Sequence, residues 1–397
     1  MKKVYISVLL VITIILCYFF FEPLFTYAIG WSTMPNASAM KLLTDHEESI
    51  SKKADSTLKI IHHRLQSPAV SIAVGQHDKI IWANAIGYQN IEDQTPVDLE
   101  TKFRIGSTSK AVTSLGIGVL LQNKKINLDS KVKDFVPYAK EHLSNITLKQ
   151  LASHTSGIRN YGTCLCFPVW EYYSNDEYTN VQESVGVFNN DDLLFDPGSD
   201  FGYSSFNYTL LSAMIEGASK MTFPDFMKQY VFDPLNAVNI VAETSALPKN
   251  TSRFYEVAEN TYQEVYKVNN SNKWAGGGLL ATPTDLVKIG NAFLNHQLFD
   301  SKITQELTKP VRLDNGEINE QEYAIGWRNH TKDIFGNGQK INIWHHGGIA
   351  NGSISLLVLF PKYNLSISML ANKNGSSADL FENVYDIARL YINQSGT

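Results

Sequence analysis

Cysteine is scarce: the chain holds three in 397 residues, Cys17, Cys164 and Cys166. Cys17 lies in an apolar run. Cys164-Leu165-Cys166 has no well-placed histidines beside it, so it does not make an ordinary zinc site. A disulfide spanning one residue would be strained, and the pair reads as two loop thiols. Positive charge is not in excess either. With 34 Lys and Arg against 39 Asp and Glu the formal net charge is −5, and no basic stripe stands out, which argues against a nucleic-acid partner. Internal repeats and low-complexity tracts are also missing, so the chain is not a solenoid. No metal and no cofactor is assigned.

Hydrophobic residues make up 44% of the chain and charged residues 18%, enough apolar side chain for a sizeable core. The N-terminus is distinctive. Lys2 and Lys3 precede an apolar run from Val4 to Phe21, interrupted by Ser7 and Thr13. The run exceeds the ~7–15 apolar residues of a cleaved signal and approaches the ~17–25 that span a bilayer. It reads as an anchor over residues 1–22, with a cleaved signal as the alternative. The two lysines would stay cytoplasmic, giving a single-pass cell-membrane protein whose remaining chain lies on the extracytoplasmic side. Residues 23–43 read as a connector.

Thr44 and Glu47 have capping-box spacing, and an amphipathic helix is predicted from there to about Leu65. Ala69 to Val74 and Lys79 to Ile86 are β-rich, and Gly75-Gln76-His77-Asp78 between them predicts a hairpin. Ser107 to Leu121 is helical and apolar. Residues 128–270 mix short helical patterns with loops. A helix is predicted over Thr284 to Leu294. Three β-rich runs follow, Lys340 to Trp344, Ser353 to Phe360 and Leu365 to Leu370, and a helix over about Ala378 to Ile392 closes the chain. This order predicts an α/β fold. Its antiparallel sheet is drawn from both chain ends (44–106 and 271–397) and flanked by helices, with a mostly helical region (107–270) inserted.

Three motifs carry chemistry. Ser107-Thr108-Ser109-Lys110 opens a helix, and the spacing of three puts both end side chains on one face. The lysine can take the serine's proton, and the helix dipole favours negative charge there. The same spacing recurs at Ser38/Lys41, Ser49/Lys52, Ser56/Lys59 and Ser130/Lys133, where it reads as surface coincidence. Gly106 and the apolar helix set Ser107 apart. Tyr203-Ser204-Ser205 follows the Pro197-Gly198 turn. A phenol near an ammonium can act as general base, and a packed tyrosine with a satisfied hydroxyl is the plainer alternative. Trp344-His345-His346-Gly347-Gly348 ends a predicted strand. A histidine there can contact a substrate carboxylate or shuttle a proton, and the glycines admit a substrate backbone; a strand-to-turn corner is the plainer alternative.

In this order the three motifs resemble the signature set of the serine β-lactamase and penicillin-binding protein superfamily. Phe103-Arg104-Ile105-Gly106, Leu151-Ala152-Ser153-His154-Thr155-Ser156-Gly157-Ile158 and Trp274-Ala275-Gly276-Gly277-Gly278 are similar to further blocks of that family. The similarity is greatest to its class C-like branch and to the LACTB-type β-lactamase-related serine proteases. The resemblance implies a β-lactamase/transpeptidase-like fold and a serine hydrolase forming an acyl-enzyme on Ser107. Lys110, Tyr203 and His345 would be its catalytic partners, and Ser205, His346, Gly347 and Gly348 would bind substrate. Backbone N–H groups of Ser107 and Gly348 would form the oxyanion hole; if His346 rather than His345 matches the family's lysine, the second donor becomes Ile349. His154 reads as a structural brace. Ser205, His345 and His346 depart from the family's Asn, Lys and Thr. That fits a peptidase or esterase better than a dedicated β-lactamase. The expected substrate is a peptide (D-Ala-D-Ala-like or protein), a β-lactam-like compound or an ester, with a non-catalytic binder of cell-wall peptide or a protein partner as the alternative.

Overall fold

The computed structural model describes residues 2–35, 42–44, 46–164 and 170–393. The chain is organised around one seven-stranded antiparallel sheet. Ala69–Gln76 (β1) and Lys79–Asn90 (β2) form the expected hairpin, followed by the short Thr95–Pro96 (β3). Phe103–Arg104 (β4) and Leu279–Ala281 (β5) pair with each other in a separate small sheet. Arg328–Lys332 (β6), Ile341–Ala350 (β7), Ser353–Phe360 (β8) and Leu365–Ala371 (β9) complete the main sheet. Its order is β6-β7-β8-β9-β1-β2-β3, so the two chain ends meet where β9 pairs with β1.

Strand periodicity divides the core in two. On β8, Leu357 and Leu359 face one hydrophobic cluster, and Leu356, Val358 and Phe360 face another. Ser49–Leu65 (α1) buries Ala54, Leu58, Ile61 and Leu65, one helical stripe, in the second cluster. Thr108–Gln122 (α2) is buried on every side from Thr108 to Leu120 and runs through the first cluster with Phe206–Ser219 (α3) and Pro283–Leu294 (α4). Phe381–Ile392 (α5) packs beside α1 on the opposite face.

Several expectations change. The helix predicted from Thr44 begins at Ser49, and its N-cap Glu48 makes no side-chain cap bond. Leu43 N–H instead donates to Ala85 O at 2.8 Å and Thr44 N–H to Asn84 Oδ1 at 3.2 Å. These bonds lay the segment along β2 and leave no capping box. The middle region includes a hairpin, Tyr255–Ala258 with Thr261–Glu264. Cys164 is disulfide-bonded rather than a loop thiol; Cys166 lies outside the described residues.

The membrane expectation is corrected too. Residues Lys2–Ile29 are helical, but among the described residues no helix is long and apolar enough to cross a membrane. Single-pass anchoring, and the localisation built on it, is therefore not supported.

Two contacts place the start of α2 against the sheet. A Cβ on Gly348 would sit 1.9 Å from the Ile105 carbonyl oxygen, and Gly106, at φ +47°, would bring one to 2.4 Å from Ile349 O. Glycine at both positions lets β7 close onto the turn before Ser107. Arg104 then fixes β4 through a bidentate pair with buried Glu243, Nη2 to Oε1 being 2.7 Å and Nε to Oε2 3.1 Å. Asn270 Nδ2 donates to the same carboxylate at 2.8 Å.

Gly348→Ala should destabilise the fold by about 1–3 kcal/mol through overpacking against Ile105, read as a lowered denaturant midpoint. Glu243→Ala leaves the Arg104 guanidinium buried and unpaired, and should cost about 3–5 kcal/mol in the same assay.

Candidate active site

Ser107 is the N-cap of α2, and its hydroxyl makes no capping bond. The hydroxyl meets the side chain one turn on, where Lys110 Nζ lies 3.1 Å from Ser107 Oγ. Lys110 has no solvent exposure. Its amine also reaches Ser205 Oγ at 3.2 Å and the Gly276 carbonyl at 2.5 Å. All three partners are neutral. Burial, and then the charge of Arg328, hold the Lys110 pKa well below 10.5.

Tyr203 completes this group. Its ring centroid lies 5.0 Å from Lys110 Nζ, and the Ser107 side chain acts to lower the pKa of its hydroxyl. Burial raises its pKa, outweighing the lowering by Arg328 and Ser107. Tyr203 is therefore a neutral phenol at neutral pH. Ser205 caps α3 behind Lys110, its N–H donating to Asn160 Oδ1 at 3.0 Å.

The two adjacent histidines part company. Strand alternation turns His345 to the face of Ile341 and Ile343, where it packs edge-on against Phe381 with ring centroids 4.9 Å apart. His330 Nε2 donates to Gln321 O at 3.1 Å, so its Nδ1 accepts from His345 Nε2 at 3.0 Å. His345 Nδ1 is left buried without a partner. The structure does not bring His345 into contact with the Ser107 group. His346 takes the other face. Its Nδ1 donates to Gly347 O at 2.8 Å, leaving Nε2 to accept from Tyr323 Oη at 2.9 Å and Arg328 Nη1 at 3.4 Å. Burial lowers both histidine pKa values well below 6.5.

A cavity of about 630 Å³ opens beside these groups, lined by Ser107, Tyr203, Arg328, His346, Gly347 and Ile349 among others. His345 lines it from the α5 side. Gly348 is turned beneath it toward Ile105, and Ser205 touches Lys110 rather than the cavity.

Arg328 is the residue sequence reasoning missed. Its guanidinium takes Gln321 Oε1 at 2.5 and 3.0 Å and lies 5.6 Å from the Tyr203 ring centroid. Among the described residues no carboxylate pairs with it. Lys273 is buried at 4% exposure and does not line the cavity. Its Nζ donates to Tyr172 O at 3.0 Å and lies 5.0 Å from the Tyr161 ring centroid. Desolvation lowers its pKa to about 7.

With this geometry in place, comparison with known proteins is decisive. The Beta-lactamase family profile matches residues 57–391. The chain belongs to that family. Among the family's curated members, it is 28% identical to the mitochondrial serine beta-lactamase-like protein LACTB of Bos taurus, over 83% of this chain and 75% of the relative. Among solved structures, a penicillin-binding protein from Bacillus halodurans superposes with a TM-score of 0.67 at 21% identity, covering 82% of this chain and 98% of that one. The D-amino acid amidase of Ochrobactrum anthropi gives a TM-score of 0.71 at 18% identity, covering 87% of this chain and all of its own (100%). The family is one of serine β-lactamase-like hydrolases, with the β-lactamase/transpeptidase-like fold expected from the sequence.

Lys273, with a folded pKa of about 7 against about 10.4 unfolded, leaves the unfolded state holding more protons between those values. Stability should therefore rise with pH from about 7 to 9.5, by up to about 1.4 kcal/mol per unit for this lysine. Lys110 acts in the same direction. Lys273→Met should flatten the rise, measured as denaturant midpoint against pH.

Proposed function

We propose that the chain is a serine hydrolase that forms an acyl-enzyme on Ser107. The observation that carries this reading is the buried Lys110 amine, 3.1 Å from Ser107 Oγ, with its pKa held well below 10.5. A neutral amine there can accept the hydroxyl proton as Oγ attacks a substrate carbonyl. The proton then passes from Lys110, through the Tyr203 hydroxyl, to the leaving group as its bond to the carbonyl carbon breaks. Water attacks the resulting ester, its proton returns along the same groups, and Ser107 is restored.

The oxyanion donors in this reading are the Ser107 and Ile349 N–H groups. Ser107 N–H has no backbone partner among the described residues, and Ile349 rather than Gly348 lines the cavity. Such a donor contributes about 2.7–4 kcal/mol to the transition state. His346, held neutral, takes the place in the site expected of His345. Arg328 is the cation for a substrate carboxylate, and Lys332 adds a second positive charge to the same cavity. Its acid, Glu382, is engaged by Arg389 at 3.3 Å. Peptides and amides or esters bearing an anionic group are the substrate class this supports.

Intact-mass analysis after incubation with a fluorophosphonate or with penicillin tests the reading. One adduct is expected on the wild type and none on Ser107→Ala. Lys110→Arg places a permanently charged guanidinium that cannot accept the proton, and should slow labelling by roughly 10²–10⁴-fold. A wild type left unlabelled by both reagents would instead favour a non-catalytic binder.

A further inference from the structure

His154 makes no contact with Ser107 or the cavity, yet it touches the segment carrying Tyr203 at three points. Its carbonyl accepts from Gly202 N–H at 2.9 Å, and its ring Nδ1 accepts from Ser204 N–H at 3.3 Å. The two residues flanking Tyr203 are thus bonded to one side chain and its own backbone. The imidazole also lies flat enough on the phenol to share its face, with ring centroids 4.1 Å apart and planes inclined by 38°. Tyr323 closes the other side at 4.6 Å, and Asn207 Nδ2 supports Nδ1 at 3.3 Å.

This arrangement is costly, which argues against accident. His154 has no solvent exposure. It sits at φ +63°, a conformation that a side chain of this size adopts rarely. A backbone N–H can only donate, so Nδ1 must be bare and the proton must sit on Nε2. That N–H is buried with no hydrogen-bond partner, so its lost hydration is not made good. A second proton would remove the acceptor and add charge beside Lys110 and Arg328.

We infer that His154 is a positioning residue for the reaction proposed at Ser107: its neutral Nδ1 and ring hold the Tyr203 hydroxyl in line with Ser107 and Lys110. The inference rests on that reading of Ser107. It adds that the phenol is fixed through the residues on either side of it and by its stacked neighbour, not through its own hydroxyl alone.

Three variants separate this role from mere support. His154→Gly accepts the positive φ without strain and removes both ring and acceptor. His154→Asn keeps an acceptor atom where Nδ1 stands and tolerates the same φ. His154→Gln carries its oxygen to the Nε2 position, out of reach of Ser204. Saturable acylation by a fluorophosphonate would be resolved into maximal rate and half-saturation, with a thermal melt recorded for each protein.

His154→Gly and His154→Gln should lower the maximal rate by about 10- to 100-fold, the loss expected when a reacting group is misplaced by about 1 Å. Half-saturation should stay within about twofold, because His154 does not face the ligand, and His154→Asn should recover most of the rate. The inference is overturned if folded His154→Gly or His154→Gln acylates at the wild-type maximal rate, or if folded His154→Asn is as slow as His154→Gln. If the wild type itself shows no adduct, the reading of Ser107 fails instead, and the two failures are distinct.

Discussion

A lysine amine wholly removed from water, facing only neutral oxygens, is the constraint on which the rest of this molecule is arranged. Each partner of Lys110 comes from a different part of the chain: Ser107 from its own helix, Ser205 from the cap of α3, Gly276 from the loop before β5. A nearby carboxylate would fix the ammonium as a permanent ion. Hydroxyls and a carbonyl satisfy either form, as acceptors toward the charged amine and, for a hydroxyl, as donor toward the neutral one. The uniformly apolar α2 is what takes the amine out of water.

Much of the surrounding structure serves this arrangement. Gly106 and Gly348 let the sheet edge approach the start of α2. Thr108 Oγ1 ties that start to His346 O at 3.1 Å, and Ser355 Oγ holds Ile105 O at 2.6 Å. Thus the start of α2 that carries Ser107, the strand that lines the cavity and the strand behind it are joined by short polar contacts inside an apolar core.

The sheet built from both chain ends, the hairpin at 69–90 and the Ser107–Lys110 pair were legible from strand and helix patterning and local spacing, whereas the meeting of Tyr203 with that pair was expected only from the resemblance to the family's ordered motifs. Other features depend on which face meets which core. His345 and His346 are neighbours in sequence, and only the packing of Ile341 and Ile343 against α1 and α5 shows that the two point apart. Arg328 lies on an edge strand reading Arg-Asn-His-Thr-Lys, with no apolar alternation to announce it. The Thr44–Glu47 pattern had the spacing of a cap, but pairing with β2 took the backbone first. Val4 to Phe21 had the composition of an anchor, whereas the described helix offers no sufficient span.

The pairing of β9 with β1 has a consequence for how the chain reaches this state. Ser368 lies opposite Ala73, so the strand beside the first hairpin leaves the ribosome long after that hairpin. Until then one edge of β1 has no partner, and the serine–lysine pair has neither its cavity wall nor the far half of its core. Such distant pairings slow folding and leave an open strand edge during synthesis. The same order leaves Ser107 and Lys110 without their cavity wall until the strands between residues 328 and 371 have been made.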